Sequence, residues 1–221
     1  VTTLNRHQNN LNLLFVDGAT LDSFVVLNEK DAAYVDITDN LTFLKDNSFI
    51  WTSEKDGFNH IYHYDSSGKL KNQVTKGNWE VTNYYGYDAK TKRIFYQSTE
   101  DGSINRSVYS IKLNGKSKQR LSSNTGTNSA AFSNSFNYYV NTFSSATTPY
   151  KYTLHESKSG KKLKVITDNG VLDQKMETYE LNPKEFSDLT PTMDILAPLS
   201  TGSGGSAWLT EASPEAKRPA P

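Results

Sequence analysis

The chain has 221 residues, with 24 Lys plus Arg against 24 Asp plus Glu, so its formal net charge is zero. That balance argues against a nucleic-acid or acidic-membrane partner, which would need clustered Lys and Arg to release counterions. There is no Cys, which excludes disulfides, thiol catalysis and Cys-ligated zinc, and no apolar run reaches the ~18 residues of a membrane span. Aromatic residues make up 12%, and Val, Ile, Thr, Tyr and Phe dominate the apolar stretches. Such residues favour pleated, half-buried strands.

The chain opens Val1-Thr-Thr-Leu4 with neither an initiator Met nor a signal peptide, and is expected to come from the interior of a longer gene. Leu11-Asn-Leu-Leu-Phe-Val-Asp-Gly18 and Ser23-Phe-Val-Val-Leu27 read as two strands. Phe49-Ile-Trp-Thr-Ser53 is a third, followed by the turn signal Glu54-Lys-Asp-Gly57. His60-Ile-Tyr-His-Tyr64 alternates between two faces as a strand does. Asp65-Ser-Ser-Gly68 is the next turn, and Lys71-Asn-Gln-Val-Thr75 is a polar strand suited to an outer edge.

This pattern then recurs. Arg93-Ile-Phe-Tyr-Gln-Ser-Thr-Glu-Asp-Gly102 with Val108-Tyr-Ser-Ile-Lys112 matches it, as does Tyr138-Tyr-Val-Asn-Thr-Phe143 with Tyr152-Thr-Leu-His155. Tyr62, Tyr109 and Tyr152 coincide, and so do Gly68, Gly115 and Gly160, which lie 47 and 45 residues apart. A period of about 40–50 residues with four short strands is that of a propeller blade, and a single blade cannot bury both of its faces.

The expected fold is therefore all-β: a partial β-propeller of about three and a half to four four-stranded antiparallel blades. It is expected over residues 1–186, as a half-blade at 4–38, blades at about 40–79, 80–127 and 128–172, and a closing strand at 173–186. Residues 187–221 carry Gly202-Ser-Gly-Gly-Ser206 and end Lys217-Arg-Pro-Ala-Pro221, the composition of a linker or a cloning-derived segment. Exposed faces at both ends of an open arc would be apolar patches, so self-association is expected.

The phrases Leu4-Asn-Arg-His-Gln-Asn9, Thr75-Lys-Gly-Asn-Trp-Glu-Val81, Tyr152-Thr-Leu-His155 and the stretch Leu163 to Leu172 with its Asp168-Asn169 resemble the N-terminal propeller of dipeptidyl peptidase IV, of the prolyl oligopeptidase family of serine peptidases. They cover about residues 3–186. The resemblance implies a bacterial, periplasmic or secreted parent whose propeller sits over an α/β-hydrolase domain. That hydrolase would release N-terminal dipeptides with Pro or Ala second, the propeller gating access for the peptide substrate. This chain has no Gly-x-Ser-x-Gly nucleophile elbow and no Glu-Glu pair, so no catalytic residue is assigned to it.

Tyr34 and Asp36 fall where relatives place pocket-lining residues, and Tyr84 and Tyr85 lie on a blade's inner strand; all four are expected to line the substrate channel. His60 and His63, three apart on a strand, should point to opposite faces, which argues against a shared metal ion, and nothing in the sequence calls for a cofactor. His155 is expected to be structural, and the acids of Glu54-Lys-Asp-Gly57 and Glu100-Asp-Gly102 read as turn chemistry. An independent, non-catalytic propeller that binds a peptide or protein partner would have the same periodicity.

Overall fold

The structure, a computed structural model, describes residues 1–180. The chain divides into two compact units, Val1–Gln174 and Lys175–Pro221. The first unit is a partial β-propeller of four antiparallel sheets.

Sheet one holds β1 (Thr2–Leu4), β2 (Asn10–Val16) and β3 (Ser23–Lys30) in that order. Sheet two holds β4 (Thr42–Phe43), β5 (Phe49–Ser53), β6 (His60–Tyr64) and β7 (Leu70–Gln73). Sheet three holds β8 (Val81–Asp88), β9 (Arg93–Ser98), β10 (Ser107–Lys112) and β11 (Gln119–Arg120). Sheet four holds β12 (Thr127–Phe132), β13 (Tyr138–Ser145), β14 (Thr148–Glu156) and β15 (Lys162–Thr167). In each sheet every strand pairs with its sequence neighbour, the meander of a propeller blade.

Three apolar clusters fill the three seams between these sheets. Leu11, Leu13 and Val26 of sheet one meet Phe49, Trp51, Tyr62 and Tyr64 of sheet two. Ile50, Ile61 and Val74 on the other side of sheet two meet Val81, Ile94, Tyr96 and Tyr109 of sheet three. Phe95 and Val108 then meet Tyr139 of sheet four. Strand alternation assigns these faces: Phe49 and Trp51 point one way and Ile50 the other. Because both faces of sheet two are covered, β5 and β6 are buried at every position. β15 at the end of the array is exposed at every position, with Leu163, Val165 and Ile166 about half exposed.

The repeated glycines sit at these seams. Gly68, Gly115 and Gly160 have φ of 83°, 76° and 73° in the hairpins that lead to the outer strands. Each faces a backbone carbonyl of the preceding blade: Val26, Val74 and Leu121 respectively. A Cβ would lie 3.2 Å from the Val74 oxygen at position 115 and 3.1 Å from the Leu121 oxygen at position 160, and would overlap the Val26 carbonyl outright at position 68. The residue must therefore be Gly for both its left-handed backbone and its lack of a side chain.

Two expectations are corrected. Where a half-blade of two strands is expected, sheet one has three, because Thr2–Leu4 pairs with Leu11–Leu13. Where a closing strand is expected at 173–186, residues through 180 belong to α1 (Gly170–Glu180). Asp168 Oδ1 accepts the Gly170 N–H at 3.2 Å and the Asn169 carbonyl accepts the Leu172 and Asp173 N–H groups, which caps a helix start. Leu172, Gln174, Lys175 and Met176 are good helix formers, and Asp173 in the first turn suits the positive end of the helix dipole. Residues 181–186 and the expected linker at 187–221 lie outside the described residues.

Replacing Gly57, which has φ of 96° but open space around it, with Ala isolates the backbone cost of about 1–2 kcal/mol. Gly68→Ala adds the collision with Val26 and is expected to lose at least ~1 kcal/mol more in urea unfolding. Equal losses at the two positions would refute the seam role of Gly68.

Candidate functional site

A groove of about 470 Å³ opens at the seam between sheets one and two. Its wall is the connection from β3 to β4, which contributes Asp31, Tyr34, Asp36 and Thr38. The hairpin after β5 contributes Glu54 and Lys55, and β3 and β6 contribute Glu29 and Tyr64. Thr38 and Asn40 are pinned to the buried Thr52 hydroxyl at 2.9 and 3.1 Å, which fixes the connecting segment against the sheet. Tyr34 is 56% exposed, so its ring is available at the rim.

The groove is acidic. Glu29, Asp31, Asp36 and Glu54 line it against Lys30 and Lys55. Glu29 Oε1 accepts the Trp51 Nε1–H at 3.0 Å, and burial pushes the Glu29 carboxyl above its ordinary range. Glu54 is raised as well, by burial and then by the charges of Asp36, Glu80 and Asp31. Lys55 is pushed down by burial; its Nζ donates to the Tyr64 hydroxyl at 2.7 Å and lies 3.9 Å above the Tyr62 ring. Perturbed groups of both signs in a concave setting make this groove the candidate site. The net negative field favours a ligand that carries an amine or guanidinium.

Of the four channel candidates, this groove brings together Tyr34 and Asp36 and not Tyr84 or Tyr85. The two tyrosines are neighbours on β8 and point into opposite seams. Tyr84 donates to the Thr42 hydroxyl of sheet two at 3.0 Å, and burial raises its phenol to about 12. The Tyr85 oxygen accepts the Ala130 N–H of sheet four at 3.0 Å, and its ring lies 5.4 Å from that of Phe132. Both join sheet three to its neighbours. Glu29 was not singled out by the sequence, and Glu54 and Lys55 were read only as part of a turn. The period-2 pattern of β3 places Glu29 on the same face as Leu27, towards the second sheet, and that was the available signal.

The histidines are fixed by their partners. The His60 ring meets Trp79 edge-on at 4.8 Å, with Nε2 3.0 Å from the Gly77 carbonyl and Nδ1 3.1 Å from the Thr75 hydroxyl. The carbonyl requires a proton on Nε2. Ser48 Oγ lies 2.9 Å from His63 Nε2. His155 stacks on Tyr139 at 5.0 Å, its Nδ1 2.9 Å from the Gly160 carbonyl. Among the described residues no three His, Asp or Glu converge as a metal set.

The turn acids do more than shape turns. Asp101 Oδ2 accepts the Tyr109 hydroxyl at 2.7 Å, and Asp56 accepts from Gln73 Nε2 at 2.5 Å beside Tyr62. Each lies in the hairpin between the second and third strands of its sheet and ties it to a later strand, β10 for Asp101 and β7 for Asp56. The phrase around Trp79 is a packing unit in the same way. Trp79 stacks on Tyr96 at 6.4 Å, Gly77 has no room for a side chain against the indole, and Val81 is buried in the seam.

Meandering sheets with aromatic seams define the class: part of a propeller with a lateral acidic groove. Residues 1–150 match the family described as dipeptidyl peptidase IV (DPP IV) N-terminal region. The chain belongs to that family. A dipeptidyl peptidase 4 of Trichophyton rubrum is 32% identical over 143 residues, covering 64% of this chain and 18% of that protein. The probable dipeptidyl peptidase 4 of Aspergillus flavus is 29% identical over 180 residues, covering 79% and 21%. The crystal structure of Porphyromonas gingivalis dipeptidyl peptidase 4 superposes with a TM-score of 0.75 at 42% identity, covering 80% of this chain and 25% of that one. The chain thus spans about a fifth of the length of the curated relatives that it matches.

Burial holds the His63 imidazole below its ordinary 6.5, and Lys71 adds to the effect against the opposing pull of Asn72 and Asp46. The unfolded chain therefore binds this proton more readily, so stability is full above the unfolded value and is lost as pH falls through 6.5. The fall in melting temperature between pH ~7.5 and ~5.5 is expected to be smaller in His63→Gln than in the parent sequence.

Proposed function

We propose that this chain is propeller sequence from a dipeptidyl peptidase IV-like serine exopeptidase, one that releases N-terminal dipeptides with Pro or Ala in second place. In that parent an α/β-hydrolase domain supplies the catalytic triad, and this segment is scaffold and substrate gate. The parent is a periplasmic or secreted protein. Family membership supports the peptidase reading. The acidic groove with Tyr34 and Asp36 on its wall carries the gate reading, because it offers a negative field and an exposed ring to a passing peptide amine.

Among the described residues, apolar side chains are exposed at both ends of the array. Phe24 and Val25 are 56% and 51% exposed at one end, and Leu163 and Ile166 are 48% and 53% exposed at the other. Self-association of the isolated chain follows from those faces.

Hydrolysis of a Gly-Pro chromogenic substrate is expected from the full-length gene product and not from this chain. Activity in neither would move the reading to a propeller that binds a peptide or protein partner without catalysis. In the full-length protein, Tyr34→Ala and Asp36→Asn are expected to raise KM by about two- to tenfold while leaving kcat nearly unchanged. Unaltered kinetics in both variants would remove these residues from the substrate path and leave the peptidase assignment standing.

A further inference from the structure

A second groove of about 470 Å³ lies at the seam between sheets two and three, and its charge is opposite to that of the first. Lys71 on β7, Lys92 in the β8–β9 turn and Lys112 at the end of β10 line it, and no carboxylate does. All three lysines are exposed. Lys71 has one acidic neighbour, Asp46, at 3.5 Å, and that carboxylate also accepts the Ser48 hydroxyl at 2.5 Å. Lys92 and Lys112 form no ion pair with any described residue. In a chain of zero net charge, three lysines line one concavity; Asp46 pairs with Lys71, and Asp88 at the rim accepts the Thr91 hydroxyl.

The uncharged lining fits the same ligand. Leu113 gives the groove an apolar side, and the Asn72 amide holds the Leu113 carbonyl at 3.1 Å, so the two sheets are tied together there. Asn114 accepts the Lys116 N–H through Oδ1 at 3.1 Å, which leaves its amide N–H groups to donate. His63 lines the groove too. Its neighbour Ser48 gives its own proton to Asp46 and so accepts from His63 Nε2.

We propose that this groove binds a dianionic oxyanion, a phosphate or a phosphate monoester, between Lys71, Lys92 and Lys112. Ammonium groups from two sheets favour a ligand whose charge is spread over several oxygens, since one oxygen cannot reach all three. The remaining room beside Leu113 suits the organic part of an ester.

The purified 221-residue chain is titrated by calorimetry with inorganic phosphate, glucose 6-phosphate, glucose and sodium chloride at matched ionic strength. Saturable binding of one or both phosphates, and of neither control, is expected. Lys92→Gln and Lys112→Gln are each expected to weaken it by about two- to fivefold, and the double variant by more. Both side chains are exposed, so the variants retain the fold, as circular dichroism will show. Tighter binding of glucose 6-phosphate would make the ligand an esterified phosphate, and tighter binding of inorganic phosphate a free one; either result supports the site. No saturation, an equal heat from chloride, or the same loss in Lys158→Gln, whose side chain is exposed in the last sheet, would overturn it.

Discussion

The seam between adjacent sheets is the constraint on which the rest of this molecule depends. A four-stranded antiparallel sheet has two faces, and neither can be left apolar in water unless another sheet covers it. Sheet two meets this condition on both sides: Phe49, Trp51 and Tyr62 face sheet one while Ile50 and Ile61 face sheet three. At ~25 cal/mol per Å² of apolar surface removed from water, large aromatic groups are the economical way to fill such seams. That explains the Tyr and Phe content better than any ligand would.

Several polar groups within the seams are tied across them, while the Tyr96 hydroxyl is buried with no partner among the described residues. Trp51 reaches Glu29, Tyr84 reaches Thr42 and the Tyr85 oxygen takes the Ala130 N–H, each joining one sheet to the next. Such bonds matter less for their individual energies than because an unpaired buried donor costs about 1–3 kcal/mol. They set the rotation of one blade on another, and with it the shape of the two lateral grooves. The grooves differ in sign because their rims are built from different hairpins: acids after β3 and β5 at one seam, lysines on β7 and around β9 and β10 at the other.

The repeat was legible in the sequence because the same physical task recurs about every 45 residues. Tyr62 and Tyr109 occupy equivalent places against the preceding blade, and Gly68, Gly115 and Gly160 each approach a carbonyl there. Other features were less legible. The acids Asp56 and Asp101 read as turn residues, yet each carboxylate takes a hydrogen bond beside the repeated tyrosine. Tyr84 and Tyr85 read as channel residues because inner strands border the channel; in the structure Tyr84 bonds Thr42 of sheet two and Tyr85 the Ala130 N–H of sheet four. α1 was read as a strand because the pattern of the preceding blades was extended past its end, over the Asp168-Asn169 cap.

The sequence by itself determined the strand order, the blade period and the residues that pack, since alternation and turn chemistry act over a few neighbouring positions. It also carried the phrases that mark the family. Only the tertiary structure decided which face each aromatic ring covers, which carboxylates gather around Tyr34 and Asp36, and that three lysines far apart in the chain share one groove. Those groupings join residues of different blades, and their positions follow from how one sheet rests on the next, a relation that no local pattern encodes.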